Sequence, residues 1–316
     1  NMANWTIQCA DRYLAVLYDY LHEKMYGYHV LQADETPVLV NKDGRPAGSK
    51  SYMWVYRTGR IYADRQIVLY EYQRTRNASH PREFLKKFSG ICVTDGYQVY
   101  HTLEDEREDL KIAGCWSHAR RRFDEAVKAL PKAKQKDSRA YLALTMIQAI
   151  YREEKQLKEL PSPERHNRRQ LSIRPLVEAY FTWVRENLPK VPQKSKTWEG
   201  FNYSLNQEKY LKVFLDDGEV PMDNNAAEQS IRGFCIGKKN WVMIDTVVGA
   251  KSSAIIYSIA ETAKANNLKP YDYFEYLLTE IPKHLDDTDR GFLDDLLPWS
   301  PNLPANCRKP GKDEVK

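Results

Sequence analysis

Tyr13, Leu14, Leu17, Tyr18 and Leu21 recur at helical spacing near the start of the chain, so residues 1–25 read as a helix with one apolar face. The texture then changes. Segments 29–34 (HVLQAD), 52–56 (YMWVY) and 66–72 (QIVLYEY) are short and rich in β-branched and aromatic residues. Asp43-Gly44 and Gly59 supply turn signals between them, which predicts three consecutive antiparallel strands. A helix over 81–88, opened by Ser79 as cap, leads to an apolar strand at 91–94 that ends on Asp95-Gly96. A helix at 97–103 and a strand at 110–115 follow. After that the strand signal disappears. Leu142, Met146 and Ile150, then Leu176, Tyr180, Trp183 and Val184, form helical stripes, and Pro161, Pro163, Pro189 and Pro192 punctuate them. Further helices are expected from about Asn225, after Lys251, and over 271–279, whereas the proline-rich polar tail reads as mobile.

The order β-β-β-α-β-α-β followed by helices predicts an α/β fold. It is that of a ribonuclease H-like mixed five-stranded sheet with flanking helices and an all-helical insertion. The expected organisation is an N-terminal helical segment (1–28), a first part of the core (29–123), a helical insertion (124–222), a return to the core (223–280) and a tail (281–316).

The 316 residues are 42% hydrophobic and 29% charged, the balance of a folded soluble protein. No run of eighteen apolar residues is present to span a membrane, and the opening NMANWTIQCADRYL is polar where a signal peptide is apolar. Five scattered cysteines suggest reduced thiols and a cytoplasmic location. Cys115 and His118 form a lone C-x-x-H, short of the four ligands of structural zinc. A net charge of +5 does not by itself identify a nucleic-acid partner, but basic residues cluster at 120–122, 165–169 and 238–239.

The acids carry the candidate chemistry. Asp34 lies in the first strand segment and Asp95 at the end of the fourth. Neighbouring strands run about 4.8 Å apart, so both carboxylates can converge at one edge of a sheet. Magnesium takes hard oxygen ligands and requires a third acid to complete such a site. Glu35, Asp64, Asp124, Asp223 and Glu228 are all candidates. Glu35 faces away from Asp34 in a regular strand. Glu228 opens a helix flanked by basic residues, which favours it, although spacing alone leaves the choice open. It also fits a capping box, Asn225-x-x-Glu228, and can pair with Arg232 one turn on.

The segments LQADETPV, VTDGY, CWSHARRRF and DNNAAEQSIRGFCIGKKNW, in that order, resemble the marker segments of DDE transposases of the insertion-sequence family sixty-six. The similarity runs from about Leu31 to Asn267. Gln229 and Gly233 stand where basic and proline residues are frequent in that family. The resemblance implies that Asp34, Asp95 and Glu228 are the catalytic acids and hold magnesium, with manganese able to substitute. The implied reaction is metal-dependent cleavage at transposon ends followed by strand transfer to target DNA. It further implies His118 as an active-site neighbour, and Arg120, Arg121, Arg232, Lys238, Lys239 and Trp241 as DNA contacts. The simpler readings are a satisfied core histidine, solvated basic helix faces and a core tryptophan. Implied partners are DNA, further copies of the chain assembled on it, and accessory transposition proteins. Two other functions fit the same residues: a structure-selective nuclease that does not join, and an inert DNA-binding derivative of a transposase.

Overall fold

The computed structural model describes residues 2–46 and 48–310. In chain order the main elements are α1 (Met2–Cys9), α2 (Ala15–Met25), β1 (Val30–Lys42), β2 (Lys50–Thr58), β3 (Val68–Gln73), α3 (Ser79–Phe84), β4 (Gly90–Val93), α4 (Gln98–Glu106), β5 (Leu110–Ala113) and α5 (Trp116–Lys128). A helical stretch follows with α6 (Arg139–Gln156), α7 (Ser162–Arg168), α8 (Arg174–Asn187) and α9 (Lys196–Asn206). The chain closes with α10 (Asn225–Trp241), β6 (Ile244–Thr246), α11 (Val247–Ala265), α12 (Pro270–Glu280) and α13 (Phe292–Leu296). The strands follow the order β3-β2-β1-β4-β5, with β6 paired to β1 off this path. This is a mixed five-stranded sheet of ribonuclease H-like order, flanked by helices and interrupted by a large all-helical insertion.

Two compact units are distinguished, Asn1–Gly90 with Ala226–Lys316, and Ile91–Asn225. In the first, β1 and β3 both run antiparallel to β2, with Asp34 opposite Val55 and Val55 opposite Tyr70. Alternation along β1 puts Gln32, Asp34, Thr36, Val38 and Val40 on one face. Val38 and Val40 on this face join Met53, Val55, Val68 and Tyr70, and Ala227, Ile231 and Phe234 of α10 and Ala250 and Ala254 of α11 close the core over them. The opposite face is aromatic: Tyr56 stacks on Phe84 at 3.7 Å, and His22 stacks on Phe84 at 3.9 Å.

At the end of the strand order, β3 has its outer backbone groups satisfied by α11. The Ser258 hydroxyl accepts from the N–H of Tyr70 at 2.7 Å, and Thr262 accepts from Val68 N–H and donates to its carbonyl, both at 2.9 Å. The Asn266 amide makes the same pair of contacts with Gln66, at 3.0 and 2.7 Å. Four helical residues advance about 6 Å and two strand residues about 6.6 Å, so a polar stripe at 258, 262 and 266 tracks alternate strand residues 70, 68 and 66.

Residues 281–310 of the tail are not a loose segment. Leu293, Leu296, Leu297, Leu303 and Cys307 are buried, the Tyr273 hydroxyl donates to the Leu296 carbonyl at 2.6 Å, and Leu268 bridges to Arg308. Residues 311–316 lie outside the described residues.

In the second unit, Trp116 is fully buried against Tyr180, Phe181 and Phe214, and its indole N–H donates to the Leu211 carbonyl at 2.8 Å. α5 packs against α9 so closely that a Cβ on Gly200 would lie 2.7 Å from the Phe123 ring. The basic run at 165–169 is largely structural. Arg169 is buried, forms an ion pair with Glu154 and donates to the carbonyls of Phe214 and Asp217 at 2.6 and 2.7 Å. Arg165 donates to four further carbonyls, those of Leu157, Lys158, Leu160 and Gly218.

Candidate active site

Asp34 sits mid-strand on the β1 face that α10 and α11 cover, and one of its carboxylate oxygens accepts the Glu35 N–H at 2.9 Å. Glu35 itself turns to the other face, as strand parity requires, and is held there in an ion pair with Arg76. The register of α10 over β1 follows from two contacts. Gln32 is paired with Arg57, whose guanidinium donates to the Ala226 carbonyl at 3.2 Å and the Ser230 hydroxyl at 3.1 Å. Thr36 Oγ1 lies 3.5 Å from Cys235 Sγ. Four strand residues and nine helical residues both span about 13 Å, so α10 runs alongside β1 in the same direction with Asp34 between the two contacts.

Glu228 shares a ridge of α10 with Ile231 and Cys235, three and seven residues on. Cys235 meets β1, so Glu228 leaves the helix on the β1 side. It does so about 10 Å before Cys235, which is about three strand residues before Thr36, the level of Ala33 and so within about one strand residue of Asp34. One of its carboxylate oxygens is out of contact with solvent. The helix already includes Asn225, whose N–H is held by the Asp223 side chain at 3.1 Å. Asn225 is thus the first helical residue rather than the cap, and Glu228 lies one position too far along for the capping-box register.

Asp95 lies two residues beyond β4, in the second unit. Its Oδ1 accepts the Tyr97 N–H at 2.9 Å, an Asx turn, and the next residue, Gly96, has φ +91°. In the same unit the first turn of α5 presents His118, with Arg121 3.5 Å from its Nε2, and exposed Arg120, Arg121 and Arg122. Arg120 stands 5.8 Å over the Tyr151 ring and Arg122 4.4 Å over the Tyr203 ring.

At the end of α10 the first unit carries the remaining basic candidates. Arg232 and Lys239 are exposed, while Lys238 donates to the Pro37 carbonyl at 2.8 Å. Trp241 is half-buried, edge-on to Phe234 at 5.5 Å, so part of its ring is committed to the core.

The family model described as "Transposase IS66 family" matches residues 1–252, and that of the IS66 C-terminal element matches residues 258–299. The chain belongs to the IS66 transposase family. Similar proteins include three from Sinorhizobium fredii, all bearing the name of an uncharacterised protein. With y4qI the chain is 29% identical over 296 residues, 91% of this chain and 53% of that protein. With y4jD it is 27% identical over 238 residues, 74% and 45% of the two chains, and with y4hP 24% over 303 residues, 90% and 53%. The IS66-family chain thus spans about half the length of these relatives.

In this IS66-family chain Asp34, Asp95 and Glu228 are each partly buried, and a backbone N–H donates to one carboxylate oxygen of Asp34 and of Asp95. The buried Cys115 thiol accepts the Asn224 N–H at 3.2 Å. Sequence reasoning missed Tyr203, whose hydroxyl donates to the Asp95 carbonyl at 3.1 Å. A single tyrosine in an amphipathic helix carries no pattern that separates it from a core residue. Among the described residues no helix is long and apolar enough to cross a membrane.

Proposed function

We propose that the chain is the catalytic core of a DNA transposase, with Asp34, Asp95 and Glu228 as magnesium ligands. It cuts at the ends of its insertion sequence and joins them to target DNA. Membership of the IS66 transposase family supports the class of reaction. The observation that supports the site is the register of α10 on β1, by which Glu228 leaves the helix on the β1 side within about one strand residue of Asp34.

The chemistry follows from the demands of a phosphodiester. In the cut, a water oxygen forms a bond to phosphorus and the bond to the element's 3′ oxygen breaks, leaving a 3′-hydroxyl. In joining, that hydroxyl attacks a target phosphodiester and displaces the target's own 3′ oxygen. Both steps add negative charge to an anionic group, and magnesium held by the three carboxylates would offset that charge and ease deprotonation of the attacking oxygen. Asp34 supplies its oxygen donors from a sheet strand, Glu228 from a packed helix, and Asp95 from the turn that follows β4. Arg120, Arg121, Arg232 and Lys239 are exposed cations suited to backbone phosphates, and His118 adds a hydrogen-bonding ring beside Arg121. Several copies of the chain on the DNA, and accessory proteins, belong to the same reading.

Oligonucleotides carrying the element ends test it in magnesium and manganese. Asp34→Asn, Asp95→Asn and Glu228→Gln are each expected to lower cleavage by a factor on the order of a hundred or more, while leaving the melting temperature nearly unchanged. Retained cleavage in Glu228→Gln would remove it from the site. Pre-cut ends that are never joined under any condition would leave a nuclease in place of a transposase.

A further inference from the structure

The insertion between β5 and α10 does more than bulk out the second unit, because one of its helices reaches the turn that carries Asp95. β4 ends at Val93, and Thr94 is still tied by its N–H to the Ala113 carbonyl at 2.9 Å. From Asp95 onward the backbone has left the strand. The Asx turn to Tyr97 aims the carboxylate, yet it is a local bond that moves with the loop. Two side chains of the α9 segment meet this turn from outside. The Tyr203 hydroxyl donates to the Asp95 main-chain carbonyl at 3.1 Å. Gln207 lies against Gly96 so closely that a Cβ there would stand 2.9 Å from its Oε1 and 3.2 Å from the Tyr203 oxygen. Gly96, at φ +91°, both adopts a backbone conformation that side chains disfavour and leaves room for this contact. Tyr203 is held in turn by the Arg122 guanidinium 4.4 Å over its ring, from the helix that also presents His118, Arg120 and Arg121.

We propose that Tyr203, backed by Arg122, is a positioning residue that sets the Asp95 carboxylate for metal binding through the Asp95 main-chain carbonyl. The inference rests on Asp95 being a metal ligand, as argued above. Tyr203 does not touch the cation or the DNA; it restricts the turn so that the carboxylate need not be ordered when the cation arrives.

The test is manganese-dependent nicking of supercoiled plasmid by the full chain, with manganese titrated for the wild type, Tyr203→Phe, Arg122→Met and Asp95→Asn. Tyr203→Phe keeps the ring and loses one hydrogen bond, and it is expected to raise the half-maximal manganese concentration by about fivefold. Its rate at saturating manganese should stay within about twofold and its melting temperature nearly constant, with Arg122→Met shifting the midpoint in the same direction by less. A change in rate or melting temperature without a shift in midpoint would assign Tyr203 a merely structural role and overturn the inference. An unmoved midpoint in Tyr203→Phe beside an inactive Asp95→Asn would overturn it while leaving the site intact. An active Asp95→Asn would remove the site reading and this inference together.

Discussion

Glu35, Trp54 and Glu71 lie in one row across β1, β2 and β3, on the face turned away from α10, and the two acids meet different fates. Glu35 has the Arg76 guanidinium against it. Among the described residues Glu71 has only the Gln73 amide, at 2.8 Å, and its second oxygen is buried without a hydrogen bond. Burial, with Glu83 adding to it, therefore pushes the Glu71 carboxyl up from 4.5 to about 7. A raised acid holds its proton in the folded chain after the unfolded chain has lost it, so stability is fully present below pH 4.5 and falls as pH rises towards 7. Glu71→Gln is expected to abolish that slope and to stabilise the protein at pH 8 by on the order of 3 kcal/mol, with little change at pH 4. Denaturant melts at the two pH values check it, and equal effects at both would show that Glu71 does not titrate in this range. At this scale the sequence was informative for Asp34, because strand parity alone separates it from Glu35. It was not informative for Glu71, since a carboxylate in an aromatic strand looks the same whether it faces solvent or a buried ring.

Elements were legible where periodicity was strong and obscure where backbone geometry, not pattern, decided. β1, β2 and β3 showed in their β-branched and aromatic runs, and the insertion showed as helix. β6 did not, because three residues, Ile244, Asp245 and Thr246, are too few to display an alternation. The tail was misread because its prolines and polar residues mask Leu296, Leu297 and Leu303, each of which is buried. The run at 165–169, a basic cluster by sequence, differs in the opposite sense. Its arginines look like a solvated basic face, but a π-helical turn at Arg169–Ile173 breaks the helical register and turns Arg169 inward. There it binds Glu154 and two carbonyls that end other segments of the insertion. Replacing it with methionine fills a similar volume but leaves a partly buried carboxylate and two carbonyls without their donor. Arg169→Met should therefore destabilise the protein by about 3–5 kcal/mol. A thermal melt close to that of the wild type would mean that water replaces the guanidinium and that the residue belongs to the surface after all.

For the molecule as a whole, a net charge of +5 is too small to drive tight DNA binding from a distance, so affinity must come from local contacts. With Arg165 and Arg169 engaged in carbonyls and an ion pair, the cations expected to meet DNA are Arg120, Arg121, Arg232, Lys238 and Lys239, and Lys238 already donates to Pro37. Each phosphate neutralised releases condensed counterions, which makes log affinity fall with log salt by about 0.9 per contact. Four or five such contacts predict a slope of roughly −4, measured on duplex DNA in magnesium-free buffer so that binding is separated from cutting. The double substitution Arg120→Ala with Arg121→Ala should bring the slope up by nearly 2, uniformly across DNA sequences, because phosphate contacts position the duplex without reading it. Arg168→Ala, an exposed arginine of the 165–169 run, should leave the slope unchanged. If the Arg168 variant instead flattened the salt response and the Arg120 and Arg121 pair did not, the DNA would lie along α7 and not along α5, and the basic first turns of α5 would be no more than a solvated helix face.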